Sequence, residues 1–134
     1  MSEPKTRPTD ASVEDFLAGV EPAGRRMDAQ TVCAVMGEVP GLPPVMWGPS
    51  IVGFGTTTMS GNDWPEIAFS PRKANLVLYL GDFEDRDAVV GRFSKARASI
   101  GCIYLTRLSP DDRAVLREAC EQALAATRAG KLEG

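Results

Sequence analysis

Apolar residues recur at helical spacing early in the chain and change to strand spacing in its middle. Val13, Phe16, Leu17 and Val20 fall at i, i+3, i+4 and i+7, behind Ser12-Val-Glu-Asp15, which has the form of a capping box with Asp in place of Glu or Gln. The spacing predicts a short amphipathic helix. Ala29, Val32, Val35, Met36 and Val39 carry a similar stripe through a second helix, opened by Pro22 and stopped by Pro40-Gly41. Four prolines within residues 40–49 forbid a helix there and leave Val45-Met46-Trp47 as an irregular stretch leading into a sheet. Residues 51–59 are rich in β-branched and aromatic side chains, Ser60-Gly-Asn-Asp63 supplies a turn, and residues 64–70 form the return strand of a hairpin. After the turn Ser70-Pro-Arg-Lys73, Leu76, Leu78 and Leu80 alternate with Val77 and Tyr79, which predicts a strand covered on both faces and therefore central.

Beyond Gly81, the acids Asp82, Glu84, Asp85 and Asp87 precede Val89, Val90 and Phe93, as expected where carboxylates complement the positive end of a third, short helix. Residues 95–101 read as a loop and residues 102–105 as a fourth strand. Ser109-Pro-Asp-Asp112 then opens the last helix, with Ser109 as cap and Pro110 at the first position. Leu116, Ala119, Cys120, Ala123 and Leu124 form its buried face, and Gly130 ends it. The order is helix, helix, three strands, helix, strand, helix, without the regular alternation of a parallel sheet. An α+β fold follows, with a mainly antiparallel sheet of about four strands and helices packed on one face. Residues 1–9, with two prolines, read as an extended arm, and residues 10–130 as a single domain.

Composition narrows the function more than it identifies one. A chain of 134 residues can bury one adequate core without disulfides or a structural metal. Its net charge of -3 gives no electrostatic footprint for nucleic acid. No apolar run is long enough for a membrane span, and the polar start is unlike a signal peptide, so a cytoplasmic location is expected. Cys33, Cys102 and Cys120 are far apart and form no C-x-x-C pair, which suits small buried apolar residues better than a disulfide framework or a zinc site. The chain has no histidine, which excludes histidine-dependent triads and H-E-x-x-H zinc chemistry. There is also no Walker loop, no G-x-G-x-x-G and no G-x-S-x-G.

Three stretches carry a family resemblance: P-V-M-W-G-P-S-I-V-G-F-G (residues 44–55), F-S-P-R-K-A-N-L-V-L-Y-L (residues 69–80) and C-I-Y-L-T-R-L (residues 102–108). With T-D-A-S-V-E-D-F-L-A (residues 9–18), they resemble the YdhG-like family, a bacterial domain of unknown function. The resemblance implies a compact α+β fold with no established activity for most members, some relatives being described as frataxin-like iron chaperones. That family usually has a loop rich in Gly and Lys ahead of the position of Cys102. Here Ser99 and Ile100 stand in place of the expected glycine and second lysine, which weakens any anion site built on residues 95–101.

The candidate site joins Trp47, Gly48, Ser50, Gly53 and Gly55 with Ser70, Arg72 and Lys73. Glycines at alternate strand positions strip one face of side chains and often mark a close backbone approach. Gly53 and Gly55 would thus open a groove, with Trp47 as a flat wall and Arg72 and Lys73 as contacts to a carboxylate or phosphate. The competing reading has these glycines admit a closely packed helix, with both cations merely solvated. Lys95 and Arg97 could hold an anion or simply be exposed. Tyr79 and Tyr104 could face the same groove and offer their hydroxyls, or pack in the core with wet tips. The expectation is a non-enzymatic binding domain for a small anionic metabolite or a partner peptide, without a cofactor. An exposed Trp47 or Trp64 could also seal a homodimer. The alternative, a frataxin-like iron-binding chaperone, would draw on Asp82, Glu84, Asp85 and Asp87, or on Asp111, Asp112, Glu118 and Glu121. An enzyme ranks last because no base and nucleophile pair is visible.

Overall fold

In the computed structural model, which describes residues 8–59, 61–99 and 102–133, the helical stripes become the cover of an antiparallel sheet. Helix α1 (Val13–Ala18) starts where the Ser12 hydroxyl accepts a hydrogen bond from the Asp15 N–H, the contact expected of a capping box. Helix α2 (Ala23–Glu38) buries Ala29, Val32, Val35 and Met36, as its spacing predicts. Helix α4 (Asp112–Glu133) buries Leu116, Ala119, Cys120, Ala123 and Leu124. It runs past Gly130, which does not end it.

The main sheet has six strands rather than about four: β1 (Val45–Trp47), β2 (Ile51–Phe54), β5 (Ile67–Pro71), β6 (Leu76–Tyr79), β7 (Ala96–Ser99) and β8 (Cys102–Leu105), in the order β1-β2-β5-β6-β8-β7. Every neighbouring pair is antiparallel. The residues 45–47 that read as irregular form an edge strand, and four of the residues that read as a loop form β7. Short helix α3 (Arg86–Val90) carries the chain past the sheet, so that β8 returns between β6 and β7.

The segment read as one strand over residues 51–59 is broken. After β2, Gly55 takes a positive φ of 72°, and the hairpin resumes as β3 (Thr57–Met59) paired with β4 (Asn62–Trp64) in a separate two-stranded ribbon. Pairing register divides the main sheet into two faces. Met46, Val52, Phe54, Ile67, Phe69, Leu78, Ile103 and Leu105 point toward α2 and α4 and make one core with them. Trp47, Gly53, Ala68, Ser70, Val77, Tyr79, Cys102, Tyr104, Arg97 and Ser99 point the other way. The β3–β4 tip bends over this second face, where the Trp64 ring meets the Tyr79 ring edge-on at 6.2 Å.

Candidate functional site

The expected groove over the first hairpin strand is filled by the protein itself. A Cβ at Gly53 would lie 2.6 Å from Pro65 Cβ and 2.6 Å from Trp47 Cδ1. Gly53 therefore makes room for an indole and a proline from the hairpin tip, neither a helix nor a ligand. Trp47 is only 1% exposed, so it is neither a wall open to a ligand nor a dimer seal. A Cβ at Gly55 would lie 2.2 Å from Glu66 Oε1, and that buried carboxylate accepts from Arg128 Nε at 3.1 Å. Gly48 stands in the β1–β2 turn, and the Ser70 hydroxyl donates to the Ser50 carbonyl at 2.7 Å, tying that turn down. These residues form a buried joint.

A different set of the expected residues converges beside this joint. Arg72 follows β5, and its N–H donates to the Asn75 carbonyl across the turn into β6. From there Arg72 Nη2 donates to the Tyr79 hydroxyl at 2.8 Å. In the register the Ser70–Val77 pair lies between the two residues, so the arginine's arm spans that row. On the next strands, the Arg97 guanidinium sits over the Tyr104 ring at 4.6 Å, and the Ser99 hydroxyl donates to the Tyr104 hydroxyl at 3.2 Å. Tyr79 pairs across strands with Cys102, and Tyr104 with Val77, so the two phenols stand on a diagonal of one face. The result is a patch with two arginines, two phenols and a serine hydroxyl, bordered by the Trp64 indole.

Its electrostatics set the patch apart. Arg26, Arg92, Arg107, Arg117 and Arg128 all pair with carboxylates. Among the described residues Arg25, Arg72, Arg86, Arg97 and Arg113 have no carboxylate partner; Arg25 and Arg86 are spent on main-chain carbonyls and Arg113 stands at the α2–α4 groove, so Arg72 and Arg97 are the two that rest on phenols. A phenol orients a guanidinium without cancelling its charge. Burial pushes the Tyr79 phenol above its usual range, while the Arg72 cation beside it pulls it partly back. Tyr79 thus stays a neutral phenol, accepting from Arg72. Lys73 and Lys95 are exposed nearby in the chain, without a side-chain partner among the described residues.

Other elements are occupied by structural work. Buried Arg25 donates from Nη1 to the Leu105 and Thr106 carbonyls at 3.4 and 2.9 Å, and Asp28 accepts from Arg107 Nε at 2.8 Å and the Leu108 N–H at 3.1 Å. These contacts lock α2 to the end of β8. An open groove of about 830 Å³ runs between α2 and α4 past Met27 and Val35, but the Arg117–Glu38 ion pair balances charge along it. Cys120 is fully buried and its thiol is pushed up to about 12, while burial also raises Cys33, which disfavours the reactive thiolate in both. The acids invoked for iron do not assemble. Asp112 accepts hydrogen bonds from Ser94 and Ser109, Glu118 pairs with Arg92, and among the described residues no three of His, Cys, Asp or Glu form a metal-holding group.

A scan against protein-family models finds no match to this chain, and searches of curated proteins and of solved structures find none either. No described helix is long and apolar enough to cross a membrane. Among the described residues the patch is the site that offers cations without a carboxylate or carbonyl partner on one open face. The sequence offers Arg72, Tyr79 and Tyr104 as candidates at the glycine strand, and Arg97, with Lys95, as a separate possible anion contact. Trp64 enters the sequence reading only as a possible dimer seal and Ser99 only as a replacement that weakens a loop site, because they reach the patch only through the folded-back β3–β4 ribbon and through β7. The alternation of Tyr104 with Cys102, and of Arg97 with Ser99, was the available signal.

Proposed function

We propose that this chain is a non-enzymatic binding domain that holds a small anionic ligand on the helix-free face of its sheet, against Arg72, Arg97, Tyr79 and Tyr104. The single observation that carries this reading is that these two arginines rest on phenols of one sheet face, neither matched to a carboxylate nor spent on main-chain carbonyls among the described residues. A carboxylate or phosphate arriving there gains charge-assisted bonds without first breaking an ion pair. The site keeps Arg72 and Tyr79 from the sequence expectation but places the ligand beside the Trp47 and Gly53 joint. The resemblance to the YdhG-like family is compatible with this reading and adds no ligand to it.

Thermal-shift screening against inorganic phosphate, nucleotides and organic acids tests the proposal. A ligand that raises the melting temperature of the parent chain and fails to do so in Arg72→Ala supports it. An equal shift in both chains, or no shift with any anion at millimolar concentration, contradicts it.

A further inference from the structure

The two edges of the main sheet are treated differently by the chain. At β1, Pro8 forms a bridge with Trp47 and the Thr9 N–H donates to the Met46 carbonyl at 2.8 Å, so the segment before α1 covers that edge. At β7 no strand lies outside among the described residues; α3 packs against β7, its Arg86 Nη2 donates to the Ser99 and Cys102 carbonyls at the turn into β8, and Ala96 is half-buried against the core. The Thr106 N–H donates to the Lys95 carbonyl, which makes Lys95 and Thr106 a hydrogen-bonded pair of the β7–β8 ladder. Alternation then turns the N–H and C=O groups of Arg97 and Ser99 toward β8, and those of Ala96 and Ala98 outward. Arg97, Ala98 and Ser99 are all exposed.

We propose that β7 is a docking edge for an extended acidic segment of another protein, which adds to the sheet as a seventh strand. Main-chain bonds to Ala96 and Ala98 would give it affinity, as in other strand additions. Side chains give it selectivity. Residue parity places Lys95 and Arg97 on the same face of the edge, so a strand carrying Asp or Glu at alternate positions sets carboxylates opposite both cations. Arg97 rests on Tyr104 without a carboxylate partner among the described residues and has one hand free for this purpose. A second copy of the chain fits the edge poorly. Antiparallel self-pairing through Ala96 and Ala98 sets Arg97 opposite Arg97, opposite Lys95 or, when centred on Ala98, opposite Ser99, so it opposes like charges or gives the cations no carboxylate. The edge shares Arg97 with the proposed anion patch but depends on backbone groups that the patch does not use, so either can fail alone.

The test uses a fluorescein-labelled peptide of alternating glutamate and valine, its copy N-methylated at every second amide, and the full chain. Anisotropy should show binding of the first peptide and at least tenfold weaker binding of the second. Ala98→Pro removes an outward N–H at an edge position where proline is tolerated, and Arg97→Glu reverses the charge. Each should weaken the peptide at least tenfold, whereas Arg72→Ala should stay within twofold and Ala98→Pro should leave the phosphate response intact. In the unmodified chain, the Ala96 and Ala98 amides should exchange more slowly once peptide is bound. Unchanged exchange at these amides, equal affinity in Ala98→Pro, or a dimer in sedimentation that Ala98→Pro dissolves would each overturn the proposal.

Discussion

On the helix side of the sheet Arg107 meets Asp28, Arg117 meets Glu38 and Arg92 meets Glu118, whereas on the opposite face Arg72 and Arg97 lie against Tyr79 and Tyr104. The first arrangement neutralises charge on largely half-exposed side chains around the helices. The second holds each guanidinium by a neutral contact worth about 1 kcal/mol and leaves its positive charge available. The partner each arginine meets, more than residue type, thus decides whether its charge is neutralised or left available.

The largest expected effect comes where the open face is closed by the hairpin tip. Gly53→Val puts a branched side chain into the space held by Trp47 and Pro65, and should cost about 3 kcal/mol or more, lowering the melting temperature by roughly 10 °C. A stable Gly53→Val chain would mean the joint is an open groove after all. Next comes the helix side. Burial would raise the Asp112 carboxyl, but hydrogen bonds from Ser109 and Ser94 outweigh it and hold the group below its ordinary value. With the folded value depressed, this stabilisation is complete above the ordinary value of 3.8 and is lost as pH falls through the folded one. Asp112→Asn should cost about 2 kcal/mol at neutral pH and flatten the acid limb of the stability curve, which chemical denaturation at several pH values measures.

A smaller effect on stability separates the two faces most cleanly. Arg72→Ala removes an exposed side chain and should change unfolding free energy by less than about 0.5 kcal/mol, yet weaken anion binding tenfold or more in calorimetric titration. If it unfolds the domain as badly as a core change, the arginine is structural. The smallest effect is on Tyr79 itself. Because Arg72 lowers a phenol that burial raises, Arg72→Ala should push its titration higher still, as followed by the tyrosinate absorbance.

Much of the fold was legible because local spacing and tertiary packing agree. The Ser12 cap, the α2 stripe and the α4 stripe all fall where the sequence places them. The sheet was read two strands short for physical reasons. Ala96-Arg-Ala-Ser99 has no β-branched or aromatic residue, and only pairing with β8 makes it a strand. Val45-Met46-Trp47 is flanked by prolines and is likewise held by its partner β2. For the site, the residue types were readable and their grouping was not. Alternate glycines signalled a close approach, but only the folded tip reveals that the approaching groups are Pro65, Trp47 and Glu66. That same fold-back leaves Arg72 to reach Tyr79 outside the joint.

Titration of inorganic phosphate into isotope-labelled protein, followed by backbone amide and arginine Nε resonances, tests the central claim most directly. The expected result is saturable shifts centred on Arg72, Tyr79, Arg97 and Tyr104, with Gly53, Gly55 and the α2–α4 groove unmoved. Shifts centred on the glycine strand or on that groove, or none up to millimolar phosphate, would contradict it.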